Sequence, residues 1–467
     1  MVTEQKTFQS ARRHVLRPAL VLALAASAML HAGPGSATSL RDALVQAYGN
    51  NPTILAERAR LRATDEGVPQ ALSNWRPTIT VTGDAAKERN DTRIKTTENA
   101  LNRNPRGYAF TVTQNLYRGG RTVAATERAE DQVRSNRARL AGVEQSVLLS
   151  AATAYVNVVR NLEVVKLNIN NEKVLQRQLE AAQDRFRVGE VTRTDVAQAE
   201  SRVTGAKAQR ISSEGDLAAA RAVYKNIISE TPDNLEPAQP LGDLPASVED
   251  AVSLAQKGNY AVIQADFDER AARRQVREIT GELLPLLTLT GNVQERYDTS
   301  GIDSDIRTST ITAKVSVPLY QSGSVSSRIR ASKQTAAQRR NERNQAMRDA
   351  VEGATTAWEA LITSRARIDS FKSQIEAGKI ALEGVQQEAL VGSRTVLDVL
   401  NAEQELLDAR VSLVRAERDN IVATYQLREA TGQLTAKSLA LPVTYYDTEK
   451  HYNDVRGRWF GTRITDK

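Results

Sequence analysis

Two short segments hold the residues with the most pointed spacing. They are Phe186-Arg187-Val188-Gly189-Glu190-Val191-Thr192-Arg193-Thr194-Asp195-Val196 and Val391-Gly392-Ser393-Arg394-Thr395-Val396-Leu397-Asp398-Val399-Leu400. In each, a glycine is followed six residues later by an aspartate. The chemistry open to Thr194, Asp195, Arg394 and Asp398 is non-covalent: ion pairing, hydrogen bonding and attraction of cations. Bond-breaking chemistry has little to work with. Cysteine is absent, which removes thiol nucleophiles, disulfides and thiolate zinc sites. Histidine stands only at 14, 31 and 451. A serine–histidine–aspartate site would have to use His451, near the C-terminus, and no catalytic motif accompanies it. The run from Asp298 to Asp305 hints at calcium but lacks the EF-hand spacing and terminal glutamate. It reads as a solvated loop. The expectation is a protein that is not an enzyme and has no cofactor and no metal.

The whole chain must then be read for what positions those two segments. It has 467 residues, of which 40% are hydrophobic, 25% charged and only 4% aromatic. So few aromatic residues argue against one large globular core. The net charge of +7 is partly an end effect. Lys6, Arg12, Arg13 and Arg17 face only Glu4 in the first 37 residues. The remaining charges are interspersed, with no concentrated basic face, so nucleic acid is not an expected partner.

Arg12, Arg13 and Arg17 precede an apolar run from Ala19 to Leu30, and Gly35-Ser36-Ala37 follows. A basic start, a short apolar middle and a small-residue exit make a secretory signal peptide over 1–37. The run is too short for a membrane-spanning helix, which needs ~20 apolar residues.

Beyond the leader the chain is written twice. At an offset of 208, Ala43 matches Ala251, Asn51 matches Asn259, Pro77 matches Pro285 and Gly83 matches Gly291. At an offset of 203, Val112 matches Val315, Tyr117 matches Tyr320, Gly189 matches Gly392 and Asp195 matches Asp398. Ordered matches over this span indicate duplication. The units expected are 38–240 and 241–435, with a C-terminal tail over 436–467.

No proline lies between 106 and 231 or between 319 and 441. Proline costs ~3 kcal/mol inside a helix, so both stretches are helix territory. Leu140, Val143, Val147, Ala151, Tyr155, Val158 and Leu162 recur at three and four, one apolar stripe. Leu361, Ile368, Ile375 and Leu382 step by sevens, the coiled-coil period. Long helices are expected at about 120–187 and 323–390, each ~100 Å long at 1.5 Å per residue. That is a rod, longer than a compact domain needs. Gly189 and Gly392 sit where left-handed caps would end the rods. Return helices are expected at about 192–230 and 394–431, and shorter ones at 52–74 and 260–281.

Between short and long helices lie segments of period two. Ile79 and Val81 alternate with threonines, as do Tyr108, Phe110 and Val112, then Leu287, Leu289 and Val293, then Ile311, Ala313, Val315 and Leu319. Each has one apolar and one polar face. Hairpins are expected at about 78–117 and 286–320, with polar loops at 88–107 and 298–308. Alternation alone fits a small soluble sheet equally well. The leader, the rods and the duplication favour membrane strands. Four strands cannot close a barrel, which needs about eight for a filled interior, so several chains would have to pool them.

This arrangement resembles the TolC-like outer-membrane efflux and secretion channels of Gram-negative bacteria. The residues that carry the resemblance are the two glycine–aspartate segments, each where a proline-free rod turns. The tail from Tyr445-Tyr446-Asp447 through His451-Tyr452 to Arg458-Trp459-Phe460 is similar to alphaproteobacterial members. The resemblance implies a mainly α fold with a small β part, in which two membrane hairpins per chain build a 12-stranded barrel in a homotrimer. It implies a coiled-coil tunnel across the periplasm that carries multidrug efflux or type I secretion. It also implies an inner-membrane pump or ABC transporter and a periplasmic adaptor as partners. Thr194, Asp195, Arg394 and Asp398 would form a periplasmic gate, with Asp195 and Arg394 paired and Asp398 in a carboxylate ring. Val188, Gly189, Glu190, Val391, Gly392 and Ser393 would meet the adaptor. Asn401 and Ala389 depart from the family's best-known pattern, where an acid and a tyrosine stand. The alternative is a periplasmic coiled-coil structural or adaptor protein with no pore.

Overall fold

The computed structural model describes residues 38–94, 97–300 and 303–464. The leader expected over 1–37 lies outside the described residues. The first unit opens with helices α1 (Leu40–Asn50), α2 (Pro52–Asp65) and α3 (Gly67–Leu72). Strands β1 (Thr78–Ala85), β2 (Glu88–Ile94), β3 (Thr97–Arg103) and β4 (Arg106–Arg118) follow. Then come α4 (Arg121–Arg187) and α5 (Arg193–Ile228). The second unit has α6 (Val248–Gly258), α7 (Tyr260–Thr280), β5 (Leu286–Tyr297) and β6 (Asp305–Ser316), then α8 (Ser324–Leu390) and α9 (Val396–Ala430). A short helix, α10 (Lys450–Arg456), lies in the tail.

The duplication extends to single hydrogen bonds. Asn51 caps α2 through the Thr53 N–H (2.9 Å) and donates to the Ile227 carbonyl (2.9 Å). Asn259 caps α7 through the Ala261 N–H (2.9 Å) and donates to the Ala430 carbonyl (3.2 Å). Both rods are 67 residues long and begin after a left-handed glycine, Gly120 at φ +73° and Gly323 at φ +75°.

Four strands form one antiparallel sheet in the order β1-β4-β5-β6. The register sorts side chains by face, because directly opposed residues share one. Ile79 pairs with Val112 and Val81 with Phe110, Phe110 pairs with Val293, and Gly291 pairs with Ile311. That face is apolar. The other carries Thr78 against Thr113, Thr80 against Thr111, Thr290 against Thr312 and Asn292 against Thr310. The sheet is amphipathic, and β1 and β6 are open edges.

Several expectations need correction. The segment expected as a polar loop over 88–107 is largely a second ribbon, β2 paired with β3. It lacks apolar alternation, so it gives no strand signal. The loop expected over 298–308 is shorter, since β6 begins at Asp305. It is held by its own turns, with the Asp303 N–H donating to Asp298 Oδ1 (2.9 Å). The second hairpin, expected to run to 320, ends at Ser316, because Pro318 cannot donate and no strand lies alongside. The helix expected over 52–74 is broken after Asp65. Pro69 has no N–H for the Asp65 carbonyl, and a 3-10 turn (Ser73–Trp75) ends the segment. The short helices follow the return helices end to end, since Asn51 at the start of α2 bonds the end of α5 and Asn259 at the start of α7 bonds the end of α9. Helix α7 packs along α4, with Arg274 on Glu127 (2.8 Å), Arg128 on Glu278 (2.9 Å) and Ser135 on Asp268 (2.6 Å). It also meets α8, where Arg343 lies 3.3 Å from Glu269.

The main core sits where α1 and the tail wrap α4 and α5. Leu44, Tyr48, Ile54, Leu148, Tyr155, Tyr224, Ile228 and Leu434 are all buried there. The Tyr155 hydroxyl lies between the carbonyls of Thr38 (2.7 Å) and Glu236 (2.8 Å), which share its one proton, and ties α4 to the segment before α1. His451 serves the fold as well. Its Nδ1 lies 3.0 Å from the buried Asp65 carboxylate, whose pKa burial raises, and so α10 is fastened to α2.

Candidate functional site

The glycine–aspartate spacing has a mechanical cause. The glycine ends one helix and the aspartate starts the next. At the first turn Gly189 adopts φ +81°, its N–H bonds the Phe186 carbonyl (3.0 Å) and the Glu190 N–H bonds the Arg185 carbonyl (2.9 Å). At the second, Gly392 adopts φ +80°, its N–H bonds Ala389 (3.3 Å) and the Ser393 N–H bonds Glu388 (3.0 Å). These are two Schellman motifs, which satisfy carbonyls that a helix end leaves free. Both glycines face open space where a side chain would start, so only the backbone conformation demands glycine.

Three residues later a capping box opens each return helix. The Thr192 N–H (2.9 Å) and hydroxyl (2.8 Å) donate to Asp195 Oδ2, and the Asp195 N–H donates back to Thr192 Oγ1 (3.3 Å). Thr395 and Asp398 repeat this at 2.9, 2.8 and 3.2 Å. Hydrogen bonds from the Thr395 backbone and hydroxyl, helped by the Arg394 charge, hold the Asp398 carboxyl below the usual carboxylate range. Within one chain Asp195 and Arg394 are not brought together. Arg394 Nε reaches Glu388 (2.9 Å), across its own turn, and Arg185 does the same to Glu190 (3.1 Å). Thr194 is exposed in the first turn of α5 and does not cap it.

Sequence reasoning therefore missed Thr192, Thr395 and Glu388. The Thr-x-x-Asp spacing was the available signal for the first two. It also missed the link between the two tips. Arg202 on α5 donates to Asn401 on α9 (2.7 Å), so Asn401 occupies the departure position as a hydrogen-bond partner. Beneath it Leu175, Leu179, Ala199 and Leu400 bury one cluster, with Val196, Val203 and Val396 packed against it. The two turns therefore stand side by side on a shared apolar base. Phe186, Val188, Leu390 and Val391 stay exposed at the end of the molecule. This arrangement can pair, release and dock.

Comparison with known proteins agrees with the fold. A family described as "Outer membrane efflux protein" matches residues 43–226 and 251–433. The chain is 35% identical over 429 residues to outer membrane efflux protein BepC of Brucella suis biovar 1 (strain 1330), covering 92% of both. It is 26% identical over 417 residues to outer membrane protein TolC of Vibrio cholerae serotype O1, covering 86% of this chain and 92% of that one. The outer-membrane channel OprN superimposes with a TM-score of 0.76 at 19% identity, over 84% of this chain and 89% of that one. The two matched blocks fall one in each half, and the chain belongs to the outer membrane efflux protein family.

Proposed function

We propose that three copies join through their open sheet edges into one export conduit. Twelve strands would close a barrel in the outer membrane, and the rods would continue it as a tunnel through the periplasm. The observation that carries this reading is the sheet. One face is apolar, the other is lined with threonine, and neither edge is paired. Lipid does not tolerate an open edge, and four strands are about half the number a filled barrel needs. Two or four copies would also satisfy closure, and family membership supports three. A rod without a pore leaves the amphipathic sheet unexplained.

Small toxic compounds, secreted proteins or both would pass without a chemical step. The driving energy would come from an inner-membrane transporter through a periplasmic adaptor. Val188, Gly189, Glu190, Val391, Gly392 and Ser393 form the surface offered to that adaptor, supported by the exposed valines. Thr194, Asp195, Arg394 and Asp398 form the gate. With Asp195 and Arg394 not joined inside one chain, their pairing would run between copies. An exposed pair is worth about 0–1 kcal/mol, and three repeats of so modest a link suit a gate that yields when a partner docks.

The test is conductance in a planar bilayer. The purified protein should pass current, and the double variant Asp195→Asn, Arg394→Gln, which keeps the capping acceptor, should pass more. No current in either protein would overturn the channel. Equal current would overturn the gate assignment.

A further inference from the structure

The duplication reports on a junction that one chain cannot form alone. Inside the chain, the first hairpin meets the second where β4 pairs with β5. Between copies, the second hairpin would meet the first of the next copy, β6 against β1. The inference rests on the multi-copy reading above. In the internal junction Val112 opposes Gly291 and, past a one-residue irregularity, Tyr117 opposes Leu287 and Arg118 opposes Leu286. The repeat offsets carry β4 onto β6 and β5 onto β1. Transferred to the seam, that register sets Val315 of one copy opposite Gly83 of the next, and Tyr320 opposite Ile79. The transfer passes an independent check. Val315 and Ile79 lie on the same apolar face, and a slip of one residue would have put them on opposite faces.

The seam explains two oddities, one at each edge. The segment 317–321 repeats Gln114–Arg118, which is strand, yet it lies outside any strand here. Leu319 is 93% and Tyr320 86% exposed, against 45% for each of their counterparts, Leu116 and Tyr117. At the opposite edge, Arg76 stands just before β1 and holds the C-terminal tail. Its guanidinium lies 4.9 Å over the Trp459 ring and donates to the Arg458 carbonyl (2.5 Å). The tail then reverses at Gly461, φ +106°, with Arg458 Nη1 donating to the Arg463 carbonyl (2.8 Å). Trp459 and Phe460 sit at that reversal, 64% and 89% exposed. The tail is well anchored behind them, through His451 on Asp65 and Arg456 on Glu130 (2.9 Å). Two bare apolar pairs thus stand at the same end of the strands, on the two edges that the seam would join.

We infer that the C-terminal tail is a clasp between copies. Trp459 and Phe460 of one copy cover Leu319 and Tyr320 of the next, at a seam that repeats the β4–β5 register. Burial of aromatic and aliphatic anchors at the end of an edge strand would help hold the seam shut.

The absence of cysteine makes the test clean. Two double variants of the full chain are prepared from outer membranes in detergent. Ile79→Cys with Tyr320→Cys reads the register by disulfide formation. Leu319→Cys with Phe460→Cys reads the clasp with a short bismaleimide. Chains per particle are counted on a native gel, and covalent links on a boiled denaturing gel. The clasp predicts that both variants give a covalent three-chain species, while each single variant stays a monomer band. A three-chain particle in which the 319/460 pair stays unlinked overturns the clasp and leaves the conduit standing. One in which the 79/320 pair stays unlinked overturns the transferred register. A single-chain particle overturns the conduit itself.

Discussion

Helices α4 and α8 are one helix written twice, yet they meet different surroundings. They share one buried stripe. Val147, Ala151, Ala154 and Val158 on α4 correspond to Ala350, Ala354, Ala357 and Leu361 on α8, and all eight are buried. On α4 a second face is buried too, at Leu148, Ala152, Tyr155 and Val156. Its counterpart on α8 (Val351, Thr355, Trp358 and Glu359) is half-buried or exposed. The cause is visible in the core. The second face of α4 is covered by α1 and by the tail residues Leu434, Ala436 and Leu441. Helix α8 has α6 in the place of α1, with Trp358 packed beside Ala251, but those tail residues do not join its cluster. Each unit leaves one sheet edge open, β1 in the first and β6 in the second, but only the second leaves this helix face partly uncovered. In a molecule built by duplication, that asymmetry says where the next copy belongs. The tips teach the opposite lesson. There the two units match bond for bond, because each turn satisfies itself.

The comparison can be broken most severely at Tyr155 and its counterpart Trp358. Tyr155→Ala should cost ~3–5 kcal/mol, the range for emptying a packed aromatic site, and should lower the melting temperature sharply. Trp358→Ala, its counterpart, should cost clearly less. Equal losses in a thermal melt would mean that the two faces are equally covered. Next come the turn glycines. Gly189→Ala and Gly392→Ala should each cost ~1–2 kcal/mol, the strain of a side chain in the left-handed region, and should match one another. A large difference would show that one turn is held from outside the chain.

The caps come third. Thr192→Ala and Thr395→Ala should each cost ~1 kcal/mol, read as local amide exchange at the start of α5 and α9. The second cap also has a predictable pH dependence. Asp398 is held below the usual carboxylate range, so the native state binds its proton less readily than the unfolded chain does. The stabilisation is complete above the unfolded value and fades as pH falls through the lower folded value. Protection against exchange at the start of α9, corrected for the intrinsic pH dependence of amide exchange, should therefore fall in acid, and Asp398→Ala should abolish that fall. The smallest effect is expected for exposed pairs along the rods. Lys379→Ala, which frees Glu376 from a 2.7 Å contact, should change stability by about 0–0.5 kcal/mol.

Much of this architecture is legible in the residues, because helix and strand leave different periods. Proline-free stretches with a three-and-four stripe mark the rods, and threonine alternation marks the sheet. Gly189 and Gly392 mark the turns, since a left-handed cap demands little else. Three things are not legible, each for a physical reason. The β2–β3 ribbon has only Ile94, Ala100 and Leu101 as apolar residues, and they do not alternate, so its period of two leaves no hydrophobic trace. The seating of α7 between α4 and α8 depends on ion pairs between residues far apart in sequence. At the site, the first partners of the two aspartates are Thr192 and Thr395. Arg394 turns to Glu388, because a cap and a neighbouring carboxylate are within reach inside one chain. A bond between copies cannot be read from a single chain by either route.

The central claim is that one copy supplies only part of a shared wall. The direct test is native mass spectrometry of the protein extracted from outer membranes in mild detergent. The account predicts a particle of three chains that separates only under denaturing conditions. A particle containing one chain, stable after detergent is removed, would contradict it.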